Sequence, residues 1–333
     1  MAQTMQVVEV REPGGPDVLY FGTRNVPVPN AHDVLIEVKA AGVNRPDIQQ
    51  RRGLYPPPPG ASDLLGLDVA GIVVEVGDAV TGIAVGDKVC ALTNGGGYAQ
   101  YCAVPAPQVM PIPEGFDFVQ AASLPEAFFT AWNNVVWLGR LGHGEKLLIQ
   151  GGTSGVGLAA TQIAHQLFNA RVVATASTPQ KRAVCRELGA EAAFDYKLED
   201  WDAQIGQYIG PDGFDVILDG QAGPYTQKQL DLLGFDGRLV LIASHLGPQS
   251  EVNVRALVRR RLTLTGSTLR PRDAAYKGAL ASELVEKVWP SLTSGAIKSV
   301  IFDVLPFSEI SRAHQLLDAN QQIGKVVLNL DEL

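Results

Sequence analysis

The junction in the middle of this chain constrains its fold more than any other feature. The apolar run KLLIQ (146–150) passes directly into the glycine-rich GGTSGVGLAATQIA (151–164), and a second apolar run, RVVAT (171–175), follows. A strand that ends in glycines and turns at once into a helix lets the backbone approach an anion, and the amides and dipole of the helix start stabilise its charge. A second strand beyond that helix makes a strand–helix–strand unit, which calls for a parallel sheet. The spelling is irregular. Gly152 and Gly157 stand five apart, and Ser154 replaces the middle glycine of G-x-G-x-x-G. The rival motif at such a junction, the nucleophile elbow G-x-S-x-G, fails because Val156 stands where its last glycine belongs. The candidate phosphate loop is therefore Gly152, Thr153, Ser154, Gly155, Val156 and Gly157.

The alternation continues downstream: PQKRAVCREL, AAFDY, FDVILD, a helix near 224–233, RLVLIA and LTLTGST. It predicts a doubly wound parallel sheet with helices on both faces and right-handed crossovers. Pro179 after Thr178 marks one helix start, and Gly189 marks its end. Before residue 125 the texture differs, with short Val-rich runs cut by Gly and Pro, such as VLIEVKAAGV, VAGIVVEVG, GDKVCAL and YAQYCAVP. These predict a mostly antiparallel β domain. Asn94-Gly95 in NGGGYAQY predicts a tight hairpin between two of its strands. The last segment, VIFDVLPF to KVVLNL around a helix at SEISRAHQLLDAN, returns to strand character and is expected to rejoin the first domain. The expected organisation is an α/β chain with a β-rich domain over 1–125, a dinucleotide-binding domain over 126–268, and a returning segment over 269–333.

Which dinucleotide binds depends on the end of the second strand. An NAD enzyme places a carboxylate there for the ribose hydroxyl, whereas ATASTPQKR has Ala176 and Ser177 at that point and no acid until Glu187. Lys181 and Arg182, one turn into the next helix, are cations that could reach a 2′-phosphate. NADPH is the expected cofactor.

Charge and composition exclude other classes. A net charge of −8 repels phosphate backbones, so nucleic acid is not an expected partner. The cluster Arg259, Arg260, Arg261, Arg270 and Arg272 reads as a solvated helix end and strand flank. Three cysteines, Cys90, Cys102 and Cys185, form no C-x-x-C pair and suit a reducing cytosol. No secretory signal and no apolar run of membrane-spanning length is visible, so a cytoplasmic location is expected.

Several stretches together carry a family resemblance: AAGVNRPDIQQRRGLYPPPPG, LGLDVAGIVVEVG, GGGYAQY, ASLPEAFFTAW, GGTSGVG and the terminal IGKVVL. The chain resembles the zinc-free quinone oxidoreductase branch of the medium-chain dehydrogenase/reductase superfamily, the NADPH:quinone oxidoreductases related to zeta-crystallin and above all the tumour-suppressor-induced type. The resemblance implies a GroES-like catalytic domain with a Rossmann coenzyme domain. It also implies a homodimer or homotetramer in which the last strand of the coenzyme sheet, near LTLTGST, pairs with its twin. Where zinc alcohol dehydrogenases of this superfamily hold the catalytic ion, the matching residues here are Asn44, Leu67 with Asp68, and Glu126, and the structural zinc lobe is missing. The histidines His32, His143, His165, His245 and His314 supply no pair at helical ligand spacing.

Without a Lewis acid the acceptor should be intrinsically electrophilic, and a quinone fits. The resemblance assigns Asn44, Arg45 and Asp47 to the neighbourhood of the nicotinamide and Tyr55 to the rim of the acceptor pocket, and it makes Ser154 a catalytic candidate. It assigns Thr130 to the nicotinamide, Ser177, Lys181 and Tyr196 to the adenosine phosphate, Gly223 to the adenine side, and Ala243, Ser244, His245, Ser267, Thr268 and Leu269 to loops along the cofactor. The alternative activity is a zinc-free reductase of enones or enoyl groups, which would need a proton donor, Tyr98 or Tyr55.

Overall fold

The computed structural model describes residues 3–330, and the chain divides into two units, residues 1–129 with 270–333, and residues 130–269. In chain order the first unit contains β1 (Thr4–Val10), β2 (Leu19–Asn25), β3 (Asp33–Val43), α1 (Arg45–Arg51), β4 (Asp68–Val76), β5 (Lys88–Leu92), β6 (Tyr101–Pro105), β7 (Val109–Pro111) and α2 (Phe118–Ala122). Helix α3 (Pro125–Ala131) carries the chain into the second unit. There follow β8 (Lys146–Ile149), α4 (Gly155–Phe168), β9 (Arg171–Thr175), α5 (Pro179–Glu187), β10 (Ala190–Phe194), α6 (Trp201–Ile209), β11 (Phe214–Asp219), α7 (Tyr225–Leu232), β12 (Leu233–Leu241), α8 (Val254–Arg260) and β13 (Thr263–Gly266). The first unit is completed by α9 (Ala274–Lys287), α10 (Trp289–Thr293), β14 (Ile301–Pro306), α11 (Ile310–Asp318) and β15 (Lys325–Asn329). No helix among the described residues is long and apolar enough to cross a membrane.

The second unit is an all-parallel six-stranded sheet in the order β10-β9-β8-β11-β12-β13, so the strand order reverses between β8 and β11. Its inner strands β8, β9 and β11 are short apolar runs largely buried on both faces, as a sheet covered by helices requires, while the edge strands β10 and β13 are only partly buried. Local signals set its helix ends. The Thr178 side chain accepts from Lys181 N–H to start α5, Pro179 opens it, and Gly189 follows its end with φ +113°.

In the first unit the main sheet runs β14-β15-β3-β4-β5-β7, and β6 pairs with β3. Strand β3 is eleven residues long and pairs antiparallel with β4, β6 and β15. Its buried side chains Val34, Ile36, Val38, Ala41 and Val43 centre a core that includes Val69, Val73, Tyr98, Val104, Val326 and Leu328. Burial of each such side chain contributes about 1.5–3 kcal/mol. The hairpin expected at Asn94-Gly95 does not form. Strand β5 pairs with β4 and β7, while β6 turns away to β3. What decides the path is a close crossing: Tyr98 N–H donates to Leu65 O at 3.0 Å, and at Gly66 (φ +98°) a Cβ would stand 2.5 Å from the Tyr98 nitrogen.

Candidate active site

The coenzyme side is built from strand ends. Every residue expected there in the second unit, other than Thr130 on α3, follows the carboxyl end of a strand: Gly152–Gly157 after β8, Ser177 and Lys181 after β9, Tyr196 after β10, Gly223 after β11, Ala243, Ser244 and His245 after β12, and Ser267, Thr268 and Leu269 after β13. In open α/β sheets this is the ligand side, and the switch point lies where the order reverses, here beside β8. The phosphate loop is tight. Gly151 has φ +78°, and a Cβ on Gly157 would stand 2.5 Å from Gly151 O, so helix α4 packs against its own loop through bare backbone. The Ser154 hydroxyl accepts from Gly157 N–H at 3.0 Å and donates to Gly151 O at 2.9 Å. Serine in place of glycine is explained by this N-cap, which satisfies one of the orphan amides at the start of α4.

At the end of β9 the two candidate cations part ways. Arg182 donates to Ala176 O at 3.1 Å and pairs with Asp195 at 2.9 Å, so it closes the strand end. Lys181 is largely buried, and desolvation followed by the repulsion of nearby Lys197 holds its ammonium pKa below the usual value. Lys197 after β10 therefore lies close enough to Lys181 after β9 to add positive charge near this end of the sheet, and Lys197 carried no motif that would have singled it out. Ser267 accepts from Asn133 Nδ2 at 3.1 Å, which ties the loop after β13 to the helical turn 132–138.

The candidate catalytic residues of the first unit form a site built from side chains. Asn44 begins α1; its N–H donates to Asp47 Oδ2 at 2.8 Å and its Nδ2 to Asp68 Oδ2 at 2.8 Å. Lys325 Nζ donates to Asn44 Oδ1 at 2.5 Å and to Asp68 Oδ2 at 2.7 Å. Glu126 N–H donates to the other oxygen of Asp68 at 2.6 Å. Asp47 is wholly buried and also accepts from Gly66 N–H and from the Tyr98 hydroxyl at 3.1 Å; burial pushes its pKa up to about 6 despite those donors. The Tyr98 hydroxyl is committed to Asp47 and fully buried, which removes Tyr98 as a proton donor to substrate. The Arg45 guanidinium is partly buried, which lowers its pKa, with Asp318 and Arg52 as its charged neighbours.

Tyr55 is partly exposed, and the Arg270 guanidinium lies 5.4 Å from its ring centroid. Arg270 is not the solvated residue that the arginine cluster suggested. It is buried, its Nε and Nη2 donate to Asn94 O at 3.0 and 2.7 Å, and its buried Nη1 has no acceptor among the described residues. Lys277, fully buried, donates to Asn94 Oδ1 and to Arg270 O, and desolvation brings its pKa down to about 8. Arg259 and Arg272 are exposed, as expected, and a run of arginines hides which member turns inward.

The positions that would hold a catalytic zinc do not suit one. Leu67 offers no ligand atom, the Asn44 oxygen is taken, and a lysine ammonium stands against Asp68 where a dication would have to sit. No group of three or more His, Cys, Asp or Glu side chains able to hold a metal occurs among the described residues.

Comparison with known proteins agrees with this anatomy. Residues 30–114 match the alcohol dehydrogenase GroES-like domain family and residues 155–285 the zinc-binding dehydrogenase family. The quinone oxidoreductase of Homo sapiens is 32% identical over 98% of both chains. Among solved structures, an NAD-dependent alcohol dehydrogenase is similar with a TM-score of 0.85 and 30% identity, covering 98% of this chain and 99% of that one. A mycobacterial protein complexed with NADPH is similar with a TM-score of 0.86 and 30% identity, covering 98% and 100%. The chain is an oxidoreductase of the medium-chain dehydrogenase/reductase superfamily and belongs there with the quinone oxidoreductases.

Proposed function

We propose that the chain reduces quinones with NADPH by direct hydride transfer and without a metal ion. The observation that carries this reading is the Lys325 ammonium between Asn44 and Asp68, because a fixed cation there takes the place a zinc would need. Without a Lewis acid, an unactivated ketone or alcohol would lack several kcal/mol of charge stabilisation, whereas a quinone needs chiefly close alignment. The names of the two solved relatives differ on the coenzyme, so the choice rests on this chain's residues. Ala176 and Ser177 in place of an acid, with Lys181 and Lys197 adjacent, favour a 2′-phosphate.

Bound NADPH supplies a hydride from C4 of its nicotinamide. The loop 151–157 holds the pyrophosphate by backbone amides, and Ser154 serves as the cap that shapes it. Asn44 offers an amide N–H to the oxyanion that develops on the acceptor. Tyr55, with Arg270 against its ring, offers a flat face on which a quinone can stack. The edge strand β13, with Leu264 partly exposed, is expected to pair with β13 of a second copy in a homodimer or a multiple of one, read by light scattering. All three cysteines are free and buried, in keeping with a reducing compartment such as the cytosol.

The test is NADPH oxidation assayed in parallel with 9,10-phenanthrenequinone, 1,4-benzoquinone and a trans-2-enal. Turnover of either quinone at least about tenfold above the enal supports the reading. Preference for the enal converts it to an enone reductase, for which Tyr55 is the donor left once Tyr98 is committed. Silence with every acceptor sinks both.

A further inference from the structure

Antiparallel pairing of β15 with β3 sets Val326 opposite Val43, which brings Lys325 level with Asn44 although 281 residues separate them. Next to this pair, β4 sets Asp68 opposite Gly42. The glycine is required, since a Cβ at 42 would stand 2.7 Å from Asp68 Oδ2 and 2.5 Å from Ala122 O. Three strands therefore converge on one small polar cage whose members are almost wholly shielded from water: Asn44 is 5% exposed, Asp68 0% and Lys325 6%.

The neighbours fix which way the Asn44 amide faces. Only its oxygen can accept from an ammonium and only its nitrogen can donate to a carboxylate, so the contacts with Lys325 and Asp68 allow a single orientation. One Nδ2 hydrogen is spent on Asp68. The other donates to Gly42 O at 3.5 Å, the limit of a hydrogen bond, a contact weak enough for an acceptor's oxygen to displace. A buried ion pair is weak evidence for stability, because desolving two charges offsets most of their attraction. What this pair does produce is a carboxamide that cannot flip.

We propose that Lys325 is a positioning residue: its ammonium, anchored on Asp68, locks the Asn44 carboxamide so that one amide N–H stays directed at the acceptor. This rests on the reading of Asn44 as the donor to the acceptor's oxyanion. The cation does for Asn44 what an outer-shell partner does for a metal ligand, fixing its orientation without touching the substrate.

The test compares the wild type with Lys325→Met and with the double variant Asp68→Asn/Lys325→Met. The double variant removes both charges together and so keeps a folded chain should the single variant, with Asp68 left unpaired, fail to fold. Two readings are taken on each. The first is the side-chain 15N–1H2 resonance pair of Asn44, assigned by its loss in Asn44→Ala; it should shift and broaden in both variants. The second is steady-state kinetics with 1,4-benzoquinone: kcat should fall on the order of 10- to 100-fold while KM for NADPH stays within about twofold. An Asn44 resonance pair unmoved in the variants overturns the proposal, and so does a kcat within about twofold of wild type. A wild type that reduces no quinone removes the functional reading instead, and the Asn44 resonances then still decide whether Lys325 sets the amide.

Discussion

The two units make their polar sites from different materials. The second unit uses backbone: glycines that let α4 close on its loop, the first amides of that helix, and five further strand ends brought into line by a parallel sheet. The first unit uses buried side chains, Asn44, Asp47, Asp68, Tyr98 and Lys325, drawn from segments far apart in sequence and joined by short hydrogen bonds. A backbone site is strained by adding atoms, and a side-chain site by removing them. Substitutions should therefore fail in opposite directions in the two units.

The largest effect is expected in the first unit. Asp68→Ala leaves Lys325 buried without its carboxylate and takes the acceptor from Asn44 Nδ2 and Glu126 N–H. It should cost about 3–5 kcal/mol of folding free energy, read by urea denaturation. A cost under about 1 kcal/mol would mean that the cage relaxes freely, and the contrast between the units would then disappear. In the second unit the smallest possible addition, Gly157→Ala, should destabilise by about 1–3 kcal/mol, because its Cβ would press on Gly151 O, and it should weaken NADPH binding in a fluorescence titration. Undiminished affinity in Gly157→Ala would separate the loop from the coenzyme.

Coenzyme choice should yield to side chains even on the backbone-built side. Ala176→Asp and Lys181→Ala should each cost NADPH about 1.5–3 kcal/mol, roughly 10- to 150-fold in kcat/KM, with NADH little changed. If Lys181→Ala leaves the NADPH to NADH ratio within about twofold, the phosphate is held by Ser177, Tyr196 or Lys197 instead.

The sequence names most of the first unit's polar residues but not the partners that join them, and it names the second unit's local structure more fully, for physical reasons. Thr178, Pro179 and Gly189 announce α5 because caps act over three or four residues, and the β/α alternation announces the sheet because its inner strands are continuous apolar runs. Asn94-Gly95 announces a turn but not its partners: turn chemistry reports local φ and ψ, while the pairing of β6 with β3 is settled by the crossing at Gly66 and Tyr98. Lys325 sits in an ordinary-looking strand, and only the register of β15 on β3 shows that it faces Asn44. Arg270 is lost among its neighbours, since charge runs describe segments whereas its hydrogen bonds go to Asn94, 176 residues away.

A pH effect separates activity from stability at one residue. Asp47 is faced by Tyr98, Asp68 and Lys325, and its pKa is raised to about 6 by burial. As pH falls through 6 it takes up a proton and loses acceptor capacity for Asn44 N–H and Tyr98, so kcat should show an acid limb near pH 6. A raised folded-state pKa means that the folded chain binds this proton more tightly than the unfolded one. Asp47 alone should thus make folding more favourable between pH 6 and 4, by up to about 3 kcal/mol, while activity falls. Survival of the acid limb in Asp47→Asn would assign it to another group.

The central claim, metal-free reduction of a quinone by NADPH, is tested most directly by turnover with 1,4-benzoquinone after exhaustive dialysis against EDTA, with zinc measured on the same sample. The account predicts far less than one zinc per chain and an undiminished rate. Stoichiometric zinc, or a rate that EDTA abolishes and added zinc restores, would contradict it.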